Sequence, residues 1–232
     1  MKGFAIEISG DKALFTNPVF KAERVTYSVI TPSSARNILQ AIYWHPGIDW
    51  HIDKIKVCNK IKYQKFTVNE MKNKLATKPN FEDIGCELTR QQRGSLVLKD
   101  VKYIVLAHFT VDVSKIDFTE NGLKEIGLTS DSTDEERRIG LEKKVFAQVS
   151  NRLKKGERFH QPYLGQRQFF ARIKRVDDFD SVSTVYENEI MPLGMMFYDF
   201  EYDNNMNRIW YNPIMENGII NVVDSERYKM EN

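Results

Sequence analysis

The sequence predicts an α+β fold: an antiparallel sheet built in the order β-α-β-β-α-β, with a long insertion between the second and third strands and a small β-rich C-terminal region. Three observations lead there. Val101, Tyr103, Val105, Ala107, Phe109, Val111 and Val113 alternate strictly, the period of a strand buried on one side. Two segments repeat instead at helical spacing: Ala35, Ile38, Leu39 and Ile42 in the first, Val145, Val149 and Leu153 in the second. Strand-like runs stand before the first of these and after the second.

Taken in order, Phe4, Ile6 and Ile8 alternate as a first strand half buried on one side. Asp11 to Ile30 reads as a connection, with turn chemistry at Asn17-Pro18. Pro32-Ser33-Ser34 opens the first helix with a serine available as N-cap, and Pro46-Gly47 ends the element. The second strand begins near Ile52. Ile55, Val57, Ile61 and Tyr63 point one way, and Lys54, Lys56, Lys60 and Lys62 point the other, as on an exposed sheet face. From Gln64 to Asp100 the periodicity is lost, which assigns an insertion to about 64–100. The strong third strand carries Ile104, Leu106, His108 and Thr110 on its other face. Ser132 to Glu136 has the pattern of a capping box, and Gly156 stands where a helix C-cap belongs. Arg167 to Lys174 reads as the fourth strand, and Asn217-Gly218 as a hairpin turn in the C-terminal region. This order is the split arrangement of ferredoxin-like and RNA-recognition folds. It assigns 1–177 to a ferredoxin-like RNA-binding domain and 178–232 to the small β-rich region.

The 232 residues are 41% hydrophobic and 28% charged, the balance of a soluble globular chain with a real core. No apolar run approaches the ~20 residues that span a bilayer, and Glu7 interrupts the N-terminus too early for a signal-peptide core. A cytoplasmic protein without a membrane partner is expected. Cys58 and Cys86 are isolated, so neither a zinc site nor a disulfide framework is indicated. The net charge of +2 is too small to hold a polyanion, so an RNA site requires local clustering of cations.

Such clustering occurs between Lys143 and Phe169. Lys143, Lys144, Arg152, Lys154, Lys155 and Arg158 are followed by Phe159, His160 and Tyr163, with Gly156 and Gly165 at bends. Cations that hold phosphates beside rings that stack on bases are what single-stranded RNA requires. Walker, dinucleotide and nucleophile-elbow patterns are absent, and Asp177-Asp178-Asp180 reads as a solvated turn. The chemistry left is RNA cleavage without metal or cofactor. There the 2′-hydroxyl is the nucleophile, and the protein supplies a base, a cation for the phosphorane and an acid for the 5′-oxygen. Among four histidines, only His160 stands in the basic aromatic loop; His45, His51 and His108 lie elsewhere.

Longer motifs point to one family. Ala13 to Pro18, Lys21 to Tyr27, Thr31 to Arg36, Ala41-Ile42-Tyr43-Trp44, Arg90-Gln91-Gln92-Arg93, Phe159 to Gly165 and Met215 to Gly218 occur in order over nearly the whole chain. Together they resemble Cas family 5, subtype I-C (Dvulg), of the CRISPR-associated proteins, within the repeat-associated RNA-binding superfamily. The resemblance implies binding of CRISPR repeat RNA and cleavage of its precursor. It also implies retention on the 5′ handle of the mature guide RNA, beside the backbone and large subunits of a type I-C interference complex. The alternative it allows is a non-cleaving, handle-binding assembly subunit. The family's catalytic group is a tyrosine at the end of the first helix and a Lys-His pair on the second. The tyrosine falls on Tyr43 and the lysine on Lys144, with Lys143 beside it. The histidine position is Val145, and His160 is the stand-in to test. Arg24, Arg36, Arg90, Arg93, Lys154, Lys155, Arg158, Tyr163 and Arg167 complete the expected RNA contacts.

Overall fold

The structure is a computed structural model that describes residues 3–20, 23–71, 90–116, 118–202 and 206–230. It is a mixed α and β chain, mostly sheet with few helices. Its elements are β1 (Phe4–Ala13), β2 (Arg24–Val25), α1 (Pro32–Ile42), β3 (Ile48–Val57), β4 (Tyr63–Met71), β5 (Arg90–Val111), α2 (Glu120–Glu125), α3 (Asp134–Lys155), β6 (Arg172–Val176), β7 (Ile190–Pro192), β8 (Met196–Glu201), β9 (Asn207–Tyr211), β10 (Ile214–Glu216), β11 (Ile219–Asn221) and β12 (Arg227–Met230).

The main sheet runs β6-β1-β5-β3-β11-β10-β7, every neighbour antiparallel. The alternation of β1 and β5 turns Phe4, Ile6, Ile8, Val105, Ala107 and Phe109 onto one face, where they are buried with Trp50 of β3. The apolar stripes of the two long helices close that face: Ala35, Ile38, Leu39 and Ile42 from α1, Val145 and Val149 from α3. Phe146 of α3 stacks on Phe4 with centroids 4.7 Å apart. On the reverse face Ile104 is buried with Phe179 and Cys58, while the face further along carries His51 and His108 with their rings stacked.

Sequence and structure differ at particular places. The segment 64–100 is not patternless where it is described: β4 pairs antiparallel with the N-terminal half of β5, which extends the strong strand to 22 residues. Long polar hairpins bury neither face fully, so they lack the apolar alternation that betrays a strand. Residues 72–89, with Cys86, lie outside the described residues. The lysine face is also wrong at Lys56. A bulge between Ile52 and Lys54 shifts the register, and Lys56 is only 5% exposed, its Nζ donating to the carbonyls of Phe179 and Val182 at 2.7 and 3.1 Å. β3 ends at Val57, leaving Lys60 and Lys62 beyond it. The cap of α1 is Thr31, whose Oγ1 accepts from the Ser34 N–H, and the helix ends at Ile42 rather than at Pro46-Gly47. The strand after α3 begins at Arg172, and α2 was not foreseen. The capping box of Thr133 and Glu136, the left-handed Gly156 cap and the Asn217-Gly218 hairpin are present as expected. That hairpin does not stand apart: β11 pairs with β3 and continues the main sheet, while β8, β9 and β12 form a second one.

Candidate functional site

An α-helix leaves its last carbonyls without partners. In α1 these groups organise a site. The Ala41 carbonyl accepts the backbone N–H groups of Phe159 and His160 at 2.8 and 3.0 Å. The Ile42 carbonyl accepts from Arg152 Nη1 at 2.7 Å, a cation placed at the negative end of the helix. The loop after α3 is thereby tied to the end of α1. Its other end is tied to β1, where the Leu14 N–H donates to the Leu164 carbonyl at 3.0 Å. Gly165, at φ +81°, lies so close that a Cβ would meet the Leu14 oxygen at 1.9 Å.

Between α1 and this loop lies a cleft of about 700 Å³, lined by Asn37, Gln40, Ala41, Trp44, Phe159, His160, Gln161, Tyr163, Arg167 and Phe170. The rings of Trp44, Phe159 and Phe170 are 53%, 56% and 63% exposed. Clustered exposed rings mark a binding surface. Among the described residues no carboxylate lines this cleft, whereas three other large clefts carry Glu216, Asp224 and Glu226, or Glu125 and Glu136, or Asp49, Asp199 and Glu201. The first cleft thus sets no negative charge against a polyanion, whereas the others mix carboxylates with cations.

Tyr43 caps α1, its N–H donating to the Leu39 carbonyl and its own carbonyl accepting from Trp50 Nε1 at 3.1 Å. The guanidinium of Arg152 lies over its ring, 5.1 Å from the centroid. Burial pushes the Tyr43 hydroxyl above the ordinary tyrosine range, and Arg152 opposes that shift. His160 packs its ring against Phe159 at 4.3 Å between centroids. Lys144 is elsewhere: its Nζ pairs with Glu125 Oε2 at 2.6 Å, and it shares a hollow with Lys143, Glu125 and Glu136. Two turns of α3, roughly 12 Å of rise, separate it from Arg152. Val145 is 2% exposed in the core.

Of the other expected contacts, Tyr163 and Arg167 line the cleft with His160. Lys154, Lys155 and Arg158 are exposed around the end of α3, Lys155 lying 3.8 Å from Glu157 and Arg158 bonding weakly to Gln161. Arg36 is engaged by both carboxylate oxygens of Asp199 and by the Tyr202 hydroxyl. Arg24 lies in β2 beside β5, and Arg93 in β5 opposite Val68, both away from the cleft lining. Arg90 begins β5, and its side chain lies outside the described residues. The sequence reasoning left out Asn37, Gln40 and Phe170. The helical spacing of 37, 40 and 41 was the available signal for the α1 face.

The family described as "CRISPR-associated protein (Cas_Cas5)", in its Cas5d form, matches residues 3–223. The chain belongs to the Cas5d family. It is 35% identical over 230 residues to the "CRISPR pre-crRNA endoribonuclease Cas5d" of Mannheimia succiniciproducens, covering 94% of this chain and 93% of the relative. It is 37% identical over 171 residues to the protein of the same name from Thermus thermophilus, covering 74% of this chain and 63% of that one. Two solved structures share the fold. One, titled as a CRISPR-associated protein, has a TM-score of 0.66 at 23% identity and covers 95% of this chain and 91% of its own. The other, a functionally uncharacterized protein of Streptococcus mutans, has a TM-score of 0.63 at 24% identity, covering 100% and 93%. Val145, the position at which the resemblance implies a histidine, is packed into the core on the inner face of α3. Among the described residues no helix is long and apolar enough to cross a membrane.

Proposed function

We propose that this Cas5d chain binds CRISPR repeat RNA, cleaves the precursor without a metal, and stays on the 5′ handle of the mature guide as a subunit of a type I-C interference complex, in the cytoplasm. The names of the two curated relatives support the nuclease reading. The carboxylate-free cleft of exposed rings with Arg167 among them is the observation in this chain that carries it. The strand order β6-β1-β5-β3, which is fourth, first, third, second among the core strands, supports a ferredoxin-like framework for residues 1–177.

In this reading a single strand of RNA lies in the cleft, its bases on Trp44, Phe159 and Phe170 and its phosphates near Arg167 and the Lys154, Lys155 and Arg158 cluster. Tyr43, protonated at neutral pH as tyrosine ordinarily is and kept so by its burial, takes the role of proton donor toward the leaving 5′-oxygen. Lys144, which Glu125 holds in a separate hollow with Lys143, joins the site by exchanging that solvent-exposed partner for an RNA phosphate. His160 holds the loop and contacts RNA, and is available as the base. The deciding experiment incubates the chain with the repeat RNA of its own array in EDTA. Cleavage that leaves a 2′,3′-cyclic phosphate, and that disappears when the nucleotide 5′ of the cut is 2′-deoxy, is the expected result. A requirement for Mg²⁺ with the deoxy substrate still cut excludes the mechanism. Tight binding without any cleavage selects the handle-binding subunit, the reading that Val145 favours.

A further inference from the structure

The cleft holds more than a stacking surface. Asn37 and Gln40 lie three residues apart on one outer face of α1, Trp44 follows just past the end of that helix, and all three line the cleft. Among the described residues the Asn37 and Gln40 amides and the Arg167 guanidinium across the cleft form no hydrogen bond or ion pair. A surface that only stacked bases would need rings and cations, and its polar side chains could be of any kind. An amide offers a donor and an acceptor side by side, the geometry that reads a base edge, best matched by the N6 and N7 of adenine. An unstacked base lying on Trp44 would present its edge within the same cleft that Asn37 and Gln40 line.

We infer that the α1 face is a nucleobase-reading site, in which Asn37 and Gln40 determine specificity for one or two unpaired nucleotides of the RNA, with adenine the expected preference. The inference rests on the reading of the cleft as the RNA site. Phosphate contacts from Arg167 position the strand, and the amides choose its sequence.

The test measures binding and cleavage of the array's own repeat RNA and of a set in which each unpaired nucleotide is replaced in turn. The wild-type chain is expected to discriminate at one or two positions by roughly 5- to 150-fold. Asn37→Ala with Gln40→Ala should abolish that discrimination and leave affinity for the replaced sequences within a few-fold of wild type. Trp44→Ala with Phe170→Ala should weaken all sequences alike. Full discrimination retained in the amide double variant overturns the inference while RNA binding itself stands, and so does a wild-type chain that binds repeat RNA without preference at any unpaired position. A chain that does not bind repeat RNA overturns both readings. Should the alanine variant melt early, Asn37→Asp and Gln40→Glu keep the size and remove the donor. An altered base preference in them supports the site, and an unaltered one sinks it.

Discussion

Tyr43 was legible at the end of the first helix through the family resemblance, although the local pattern ran the element on to Pro46-Gly47; it is the cap after Ile42. Its partner was not. Arg152 reaches it from 109 positions later, and only the packing of α3 beside α1 brings a guanidinium over the ring and onto the Ile42 carbonyl. Tyr43→Phe keeps that packing, so it should lower the cleavage rate by about 10²–10⁴-fold, with repeat-RNA affinity nearly unchanged. Single-turnover rates beside equilibrium binding check this, and equal cleavage by the Phe variant would leave Tyr43 a packing residue. Arg152→Ala should act differently. It leaves a helix-end carbonyl unpartnered and is expected to destabilise the fold by about 1–3 kcal/mol in urea unfolding. A second residue-scale consequence concerns His51, whose ring stacks on His108 and whose Nε2 meets Thr110 Oγ1 at 2.9 Å. Burial, and then the neighbouring His108, lower its pKa; Asp49 and Asp53 oppose the shift. The folded state therefore binds the proton less readily than the unfolded one. The stability this contributes is present above an unfolded value of about 6.5 and is lost as pH falls through the lower folded value. His51→Gln should shrink the drop in urea midpoint between pH ~7.5 and ~5.5; an identical drop in both proteins would remove His51 as a source of it.

Among the elements, the loop from Phe159 to Gly165 was recognisable by its rings and glycines, yet the sequence does not say why it is ordered. The reason is backbone pairing to the end of α1 at one side and to Leu14 at the other. Gly165 and Gly156 both take positive φ, but they differ in surroundings. A Cβ at Gly156 meets nothing within 4 Å, while one at Gly165 collides with the Leu14 backbone. Gly156→Ala should cost about 1 kcal/mol for the left-handed backbone alone. Gly165→Ala should cost about 3 kcal/mol or more and loosen RNA binding with it. Chemical denaturation of the pair distinguishes them, and equal losses would show that the loop is not pinned at Leu14. Helix α3 supplies a sharper case. Restoring the family's histidine by Val145→His places a polar ring at a 2% exposed position packed with the core. The expected outcome is a loss of about 1–3 kcal/mol with no gain in cleavage. A variant that is as stable as wild type and cuts faster would show that the helix can turn this position toward the substrate.

For the whole molecule, a net charge of +2 leaves RNA affinity to local clusters. If several phosphates are held at the end of α3 and along the cleft, the logarithm of affinity for repeat RNA should fall linearly with the logarithm of salt, losing about 0.7–0.9 per phosphate held. A binding constant indifferent to salt would discard the electrostatic part of the proposal. The sequence by itself determined the local periodicities. It set the alternation of β1 and the C-terminal half of β5, the apolar stripes of α1 and α3, the Thr133 capping box, the Gly156 cap and the family to which the motifs belong, because each is written within a few neighbouring residues. Tertiary structure alone decided that β4 and β5 form one extended polar hairpin, that Lys56 is buried, that Arg36 is spent on Asp199 and that Lys144 faces Glu125 rather than His160. A cation's partner comes from another chain segment, 19 positions away for Lys144 and more than a hundred for Arg36 and Lys56. No local pattern records which of many carboxylates, carbonyls or rings the folded chain will bring to it.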